Sequence, residues 1–505
     1  MSNLQARLRA LSAETLRGIR RGIEKESLRV RADGRLSTLA HPAALGSALT
    51  HPHITTDFSE SQLELITGVH AGVEACLAEL AQIHQVVFRH VGDEMLWGSS
   101  MPCGLPADDA IPIGRYGPSN VGRAKTVYRT GLAYRYGRRM QVISGIHYNF
   151  SLPGVSNDGY FSLIRNFRRH SWLILYLFGA SPAVCSSFVA GRTHDLQELK
   201  GGSMFRPGAT SLRMGPLGYQ SDAQASLKVS YNGLESYGAS LQDALTRAYP
   251  PYEKIGIRGP DGEYRQLTVT LLQIENEFYG TIRPKRVIRQ GERPLHALRE
   301  RGIEYVEVRL MDLDPFCPIG IHAATIRFLD VFLLHCLLSD SPPDTPEEIT
   351  ALARNQNRAA SRGREPGLRL ERATEHVPLA DWGRQVVAEC APIAAALDSV
   401  HGGNAYGEAL ASAAAALDDP ALLPSARVLE VMAQKFDSSY VRFALAQSLA
   451  HHHTLQNHPP SAEVAQRFAR MAEESHVEQK EIEAADTMPF EIYRQQYLSR
   501  ERLGV

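Results

Sequence analysis

The feature that most constrains this chain is a short stretch, Gly22-Ile23-Glu24-Lys25-Glu26-Ser27-Leu28-Arg29-Val30. It ends in β-branched and apolar residues and runs into Arg31-Ala32-Asp33-Gly34-Arg35, a turn signal. That pattern predicts a strand entering a hairpin. Side chains alternate faces along a strand. One face then carries Glu24, Glu26, Leu28 and Val30, and the other Ile23, Lys25, Ser27 and Arg29. Two carboxylates thus share the face expected to point inward. Unpaired buried carboxylates are costly and take up a proton rather than stay charged. A positive partner is needed, and a divalent cation that prefers oxygen would serve. Taken alone, the stretch reads equally well as an edge strand with two solvated glutamates.

The rest of the chain narrows the choice. At 505 residues it can bury a large core, and its composition, 44% hydrophobic and 22% charged, is that of an ordinary globular protein. A net charge of -1 gives no field that gathers nucleic acid or an anionic membrane. Residues 1–21 hold no apolar run of signal or membrane-span length, and residues 8–16 suggest a short amphipathic helix. The longest apolar run, residues 172–184, is interrupted by Gly179 and Pro182. A cytoplasmic protein is expected, with no membrane or nucleic-acid partner. The six cysteines are scattered without C-x-x-C spacing, which argues against a disulfide scaffold or zinc ribbon.

Further strands carry similar chemistry. Residues 62–67 form one, with Glu64 on the face of Gln62 and Ile66. Residues 70–89 show helical spacing, and residues 99–123 are a loop rich in Pro, Gly and Asp. Residues 125–139 read as helix, with Tyr128, Leu132 and Tyr136 in line. In residues 141–152 an apolar face with Ile146, Tyr148 and Phe150 alternates with a polar one holding His147 and Asn149. Residues 161–178 suggest a buried helix, and residues 191–222 a long Gly-rich irregular segment. Residues 267–278 suggest a strand with Glu275 and Glu277, followed by the basic cluster Ile282-Arg283-Pro284-Lys285-Arg286. In residues 303–310, Tyr305, Glu307 and Arg309 share a face. From residue 321 the texture is helical, over 323–338, 346–360, 382–397, 408–417, 426–450 and 462–485. Strands grouped before helices predict an α+β fold with an antiparallel sheet. Neither a phosphate-binding G-x-x-x-x-G-K-[ST] loop nor G-x-G-x-x-G is present.

Glu24, Glu26, Glu64, His147, Glu307 and Arg309 lie on strand faces, and Asp57 just precedes a strand. If one sheet gathers them, several Mg²⁺ or Mn²⁺ ions would compensate the carboxylates, and metals rather than a Gly-rich loop would hold a nucleotide. Taken singly, each residue has a plainer reading. His147 makes an ordinary structural histidine, Glu307 and Arg309 a salt bridge, and Asp57 a turn or cap residue. The run His451-His452-His453 is expected to be surface histidines.

The motifs around these residues resemble the proteobacterial glutamate–cysteine ligase family. The resemblance starts with residues 22–30. It continues with Thr55-Thr56-Asp57-Phe58, Ser144-Gly145-Ile146-His147-Tyr148-Asn149-Phe150-Ser151 and Tyr176-Leu177-Phe178-Gly179-Ala180-Ser181-Pro182. Gln273-Ile274-Glu275-Asn276-Glu277, the basic cluster, Gly302-Ile303-Glu304-Tyr305-Val306-Glu307-Val308-Arg309 and Glu483-Ala484-Ala485-Asp486-Thr487 follow in order.

The resemblance implies a glutamine-synthetase-like antiparallel sheet forming the active site, packed with helices, plus a helical C-terminal part. It divides the chain into a catalytic part, 1–335, and a helical part, 336–505, packed as one globular unit. It implies ATP-dependent joining of the L-glutamate γ-carboxylate to the L-cysteine amine, with Mg²⁺ or Mn²⁺ present as more than one ion. The metal ligands would be Glu24, Glu26, Asp57, Glu64, His147 and Glu307. Tyr128, Leu132, Gln141, Arg213, Tyr219 and Tyr279 would make the cysteine pocket. Arg129 and Arg309 would be the catalytic cations, in a monomer or weak oligomer. A ligase for another acceptor amine, or a non-catalytic binding protein of this fold, stays open at this point.

Overall fold

In the computed structural model, residues 3–289 and 291–503 are described. The strands in chain order are β1 (Arg20–Val30), β2 (Ile54–Thr56), β3 (Gln62–Ile66), β4 (Met95–Leu96), β5 (Ile146–Ser151), β6 (Ala183–Cys185), β7 (Gln197–Leu199), β8 (Ser203–Phe205), β9 (Ile282–Lys285) and β10 (Tyr305–Met311). The main sheet runs β2-β3-β1-β5-β10-β9, with β4 also on β1, and every pairing in it is antiparallel. Pro284 lies in β9, at the sheet's edge, where a residue without an N–H is tolerated.

The sheet is covered on both sides. Helices Val73–His90, Asn157–Phe178 and Ala323–Leu338 pack on one side. Ile23, Tyr148, Val306 and Val308, all fully buried, belong to this apolar core. Residues one step along each strand point the other way, toward the helix Asn120–Tyr136 and its cleft. The face of β1 that carries Glu24 and Glu26 therefore meets a polar cleft, and the apolar core takes the Ile23 face. Behind the sheet, Lys25 Nζ donates to Ser27 Oγ at 2.8 Å and lies 2.8 Å from His84 Nε2. Arg21 and Asp330 form a buried ion pair at 2.8 Å, and the Tyr148 hydroxyl donates to Asp330 at 2.5 Å.

The α+β class, the antiparallel sheet and the helical C-terminal region hold as expected. Several local expectations do not. Residues 8–16 are not one helix: helices Asn3–Ala10 and Ala13–Arg17 meet at Ser12, whose hydroxyl caps the second. The turn after β1 closes by Arg31 N–H to Arg35 O, but only a single bridge, Val30 to Leu36, follows it. The strand expected from residue 141 begins at Ile146, because Arg138–Gln141 is a helical turn. Residues 267–278 are not a strand. Glu275 accepts from Arg293 and the Leu295 N–H, and Glu277 from Arg135, Tyr136 and the Gln273 N–H. These side chains draw Glu275–Glu277 into a tight turn. The irregular segment after residue 191 contains β7 and β8; β8 pairs with β6, and β7 adds on β8. The helix expected over 426–450 is two helices, Pro424–Lys435 and Tyr440–Gln456. Asp437 and Ser438 between them adopt φ of 51° and 58°, which ends a right-handed helix. His451 is buried, not a surface residue.

A hairpin absent from the sequence expectation pairs Arg369–Arg372 with Glu375–Pro378. Ala373 in its turn has φ 53°, a left-handed conformation that costs an L-residue energy. Ala373→Gly is expected to stabilise the protein by about 1 kcal/mol, read as a higher urea midpoint at unchanged slope. All six cysteines are buried and unpaired. Among the described residues no helix is long and apolar enough to cross a membrane.

Candidate active site

Strand register brings the acidic residues together. Glu26 on β1 lies opposite Glu64 on β3, and Glu24 opposite His147 on β5. Glu307 on β10 lies opposite Asn149 on β5 and Arg283 on β9. His147 Nδ1 is 3.1 Å from Glu24 and 3.8 Å from Glu307, and its Nε2 is 3.6 Å from Glu26. Glu24, Glu64 and His147 each present a ligand atom within 4.8 Å of the others. Asp57, held after β2 by its N–H to the Gln62 carbonyl, lines the same cleft of about 410 Å³. The Gly145 N–H donates to Glu26 at 2.7 Å, and Asn149 Nδ2 to Glu24 at 2.9 Å.

Charge is unevenly balanced here. Burial, reinforced by Asp57, pushes the Glu26 carboxyl up to about 8. Burial and the charges of Glu24, Asp57 and Glu26 push Glu64 well above the carboxylate range. Glu307 goes the other way: burial would raise it, but Arg309 and Lys285 hold it well below that range. Arg309 Nη1 donates to Glu307 at 2.8 Å, and Lys285 Nζ lies 3.2 Å from the other oxygen. Burial and the nearby Arg309 lower the His147 imidazole. Asn149 Oδ1 is buried and accepts no hydrogen bond, and Glu307 Oε1 has just the ion-pair contacts of Lys285 and His147. An oxygen-rich set with one imidazole, an unfilled acceptor and mutually repelling carboxylates has the chemistry of a hard divalent cation site.

The helix Asn120–Tyr136 forms the opposite wall and lines the cleft with Lys125, Tyr128, Arg129 and Leu132, on one face. Arg129 Nε donates to the Asp57 carbonyl. At one end, Gln141 Nε2 donates to the Tyr279 hydroxyl at 2.9 Å, and the Tyr219 and Tyr279 rings meet edge to face at 4.5 Å. Arg309 Nη2 donates to the Tyr219 hydroxyl at 2.7 Å, joining this end to the acidic cluster. Arg213 is not among the residues lining the cleft. It is 1% exposed and donates to the Arg309 carbonyl. Its guanidinium lies so close to Gly145 that a Cβ there would overlap it.

Sequence reasoning did not pick out Lys125, Arg283, Lys285, Glu277, Tyr493 or Tyr497 as cleft residues, though all six line it. The basic cluster around Pro284 signalled Arg283 and Lys285. Lys125 lies one helical turn before Arg129. Nothing in the sequence signalled the two C-terminal tyrosines.

The chain that carries this acidic cleft is similar to known ligases. A glutamate–cysteine ligase from Francisella tularensis, solved in complex with AMP, matches with a TM-score of 0.91 at 36% identity, covering 95% of this chain and 97% of that one. A bifunctional glutathione synthetase from Pasteurella multocida matches with a TM-score of 0.70 at 28% identity, over 90% of this chain and 55% of its own. Among curated sequences, the glutamate–cysteine ligase of Alcanivorax borkumensis is 46% identical, covering 98% of this chain and 99% of its own length. That of Azotobacter vinelandii is 48% identical, covering 98% of each. The glutamate–cysteine ligase family model matches residues 5–359. This chain belongs to the glutamate–cysteine ligase family.

Proposed function

We infer that this chain joins the γ-carboxylate of L-glutamate to the amine of L-cysteine at the expense of ATP, the first step of glutathione biosynthesis. The observation that carries the reading is full-length membership of the family together with a cleft that gathers the acidic residues expected for the reaction. In this reading Glu24, Glu26, Asp57, Glu64, His147 and Glu307 hold Mg²⁺ or Mn²⁺, as more than one ion. Bound there, the ions neutralise charge on phosphate oxygens.

The chain's own groups do the rest. A glutamate γ-carboxylate oxygen attacks the terminal phosphorus of ATP, ADP departs, and γ-glutamyl phosphate forms. Arg309 sits beside Glu307 with its guanidinium directed into the cleft and clamps the transferred phosphoryl group. Arg283 and Lys285, on the same strand face, attract the polyphosphate, and Arg129 steadies the glutamate. Tyr128, Leu132, Gln141, Tyr219 and Tyr279 seat the cysteine, with Arg213 supporting that wall from behind. The cysteine nitrogen attacks the acyl carbon, phosphate leaves, and the amine proton passes to a cleft carboxylate or the departing phosphate. Water must be kept from the acyl phosphate. The segment bearing Arg213 and Tyr219 is pinned for that task, because Asp312 accepts from Ser181 and Ser211 at its base. In this reading the chain acts as a monomer or weak oligomer in the cytoplasm.

ADP release with ATP and Mg²⁺ tests the reading. Turnover is expected to rise at least tenfold when cysteine joins glutamate, and far less with other small amines. Absence of cysteine-stimulated release would sink it; stronger stimulation by another amine would reassign the acceptor.

A further inference from the structure

The motif Glu483-Ala484-Ala485-Asp486-Thr487 is far in sequence from every residue given a role above. The structure brings it to the helix that walls the cleft. Asp486 Oδ2 accepts from the Asn120 N–H, and Asp486 Oδ1 accepts from Asn120 Nδ2 at 2.8 Å. Asn120 Nδ2 also donates to the Met488 carbonyl at 2.8 Å. Asn120 is 5% exposed and is the first residue of the helix, after the capping Ser119. A carboxylate there satisfies a free N–H and meets the positive end of the helix dipole.

The grip continues along one stripe of that helix. The Arg123 guanidinium lies over the Phe490 ring at 4.5 Å, and Ala124 and Val127 share a small apolar cluster with Phe490 and Leu267. Residues 120, 123, 124 and 127 make one helical stripe. The neighbouring stripe is Lys125, Tyr128, Arg129 and Leu132, which lines the cleft. The clasp is itself anchored: Tyr264 donates to Glu491 at 2.7 Å, and Arg293 donates to the Tyr497 carbonyl at 3.1 Å. Turning the helix about its axis would break the clasp and move the cleft stripe together.

We propose that Asp486 is a positioning residue for the ligation: acting through Asn120, it fixes the rotation of the Asn120–Tyr136 helix and so the placement of Tyr128, Arg129 and Leu132 against the substrates. The proposal rests on the assignment of the acceptor pocket to that helix. It goes beyond that assignment by naming a residue outside the cleft that sets the pocket's geometry. Misplacement of substrate groups by about 1 Å can cost on the order of a hundredfold in rate, so a modest rotation suffices.

The test compares Asp486→Ala, Asn120→Ala and the double variant in full-length protein. Each single variant should raise the KM for cysteine about tenfold and leave the KM for ATP within about twofold. The double variant should lose no more than the worse single one, because both remove the same link. Asp486→Asn, which keeps one acceptor, should recover most of the loss. Amide hydrogen exchange over residues 120–127 should speed up in Asp486→Ala at unchanged global stability, a readout independent of turnover. Wild-type kinetics and exchange in Asp486→Ala, or losses that multiply in the double variant, would overturn the proposal. A wild-type enzyme without cysteine-stimulated turnover but with the exchange response intact would instead remove the acceptor reading and leave the clasp standing.

Discussion

Glu26→Gln is expected to lower ligase turnover about a thousandfold or more while leaving the protein folded. Glu26 sits at the centre of the acidic cluster, opposite Glu64 and 3.6 Å from His147. Removing one carboxylate from a metal-bound phosphoryl-transfer site forfeits several kcal/mol of transition-state stabilisation, and each ~1.4 kcal/mol is tenfold in rate. The amide keeps the shape of the side chain and an oxygen to accept the Gly145 N–H. It also removes a carboxyl that, when ionised, repels Glu64. Thermal melts with and without Mn²⁺ separate the two effects. The apo melting temperature should hold or rise, and the Mn²⁺-induced increase expected of wild type should shrink. Activity within tenfold of wild type would refute a ligand role for Glu26.

The second large effect is one of stability. Asp330→Ala should cost about 3–5 kcal/mol, the usual range for removing one partner of a buried ion pair. Arg21 and Asp330 are fully buried, and Tyr148 adds a hydroxyl donor to the same carboxylate. The variant leaves the Arg21 charge in an apolar core with only the Ala71 carbonyl as acceptor. Urea unfolding should show a much lower midpoint, and a loss under about 1 kcal/mol would contradict the account. Tyr148 lies between His147 and Asn149, so this network braces the site's strand from behind. Refolded Asp330→Ala should therefore also bind Mn²⁺ more weakly.

The main sheet was legible because its site-facing residues recur two apart. In β1, β5 and β10 these are Glu24 and Glu26, His147 and Asn149, and Glu307 and Arg309, and register then gathers what alternation exposed. Residues 267–278 show where that logic fails. Glu275 and Glu277 alternate like strand residues, yet Arg293 and Arg135, distant in sequence, pull them into a turn. No local pattern announces such a tertiary ion pair. Asp437 and Ser438 likewise sit in an apparently continuous helical pattern, and only their backbone conformation breaks it. At the site, the acidic residues and His147 were readable from strand faces and family motifs. The burial of Arg213 was not, because it depends on the bare backbone of Gly145 lying against the guanidinium. The tyrosines at 493 and 497 reach the cleft only because the chain's last helices fold back across it.

The six buried, unpaired cysteines have a consequence for an enzyme that handles a free thiol amino acid. Thiol–disulfide exchange needs an accessible thiolate on the protein. With every cysteine residue buried, cystine that accumulates when the cell's cysteine is oxidised meets little exposed sulfur on this fold. Burial of this kind slows adduct formation by the substrate's oxidised form.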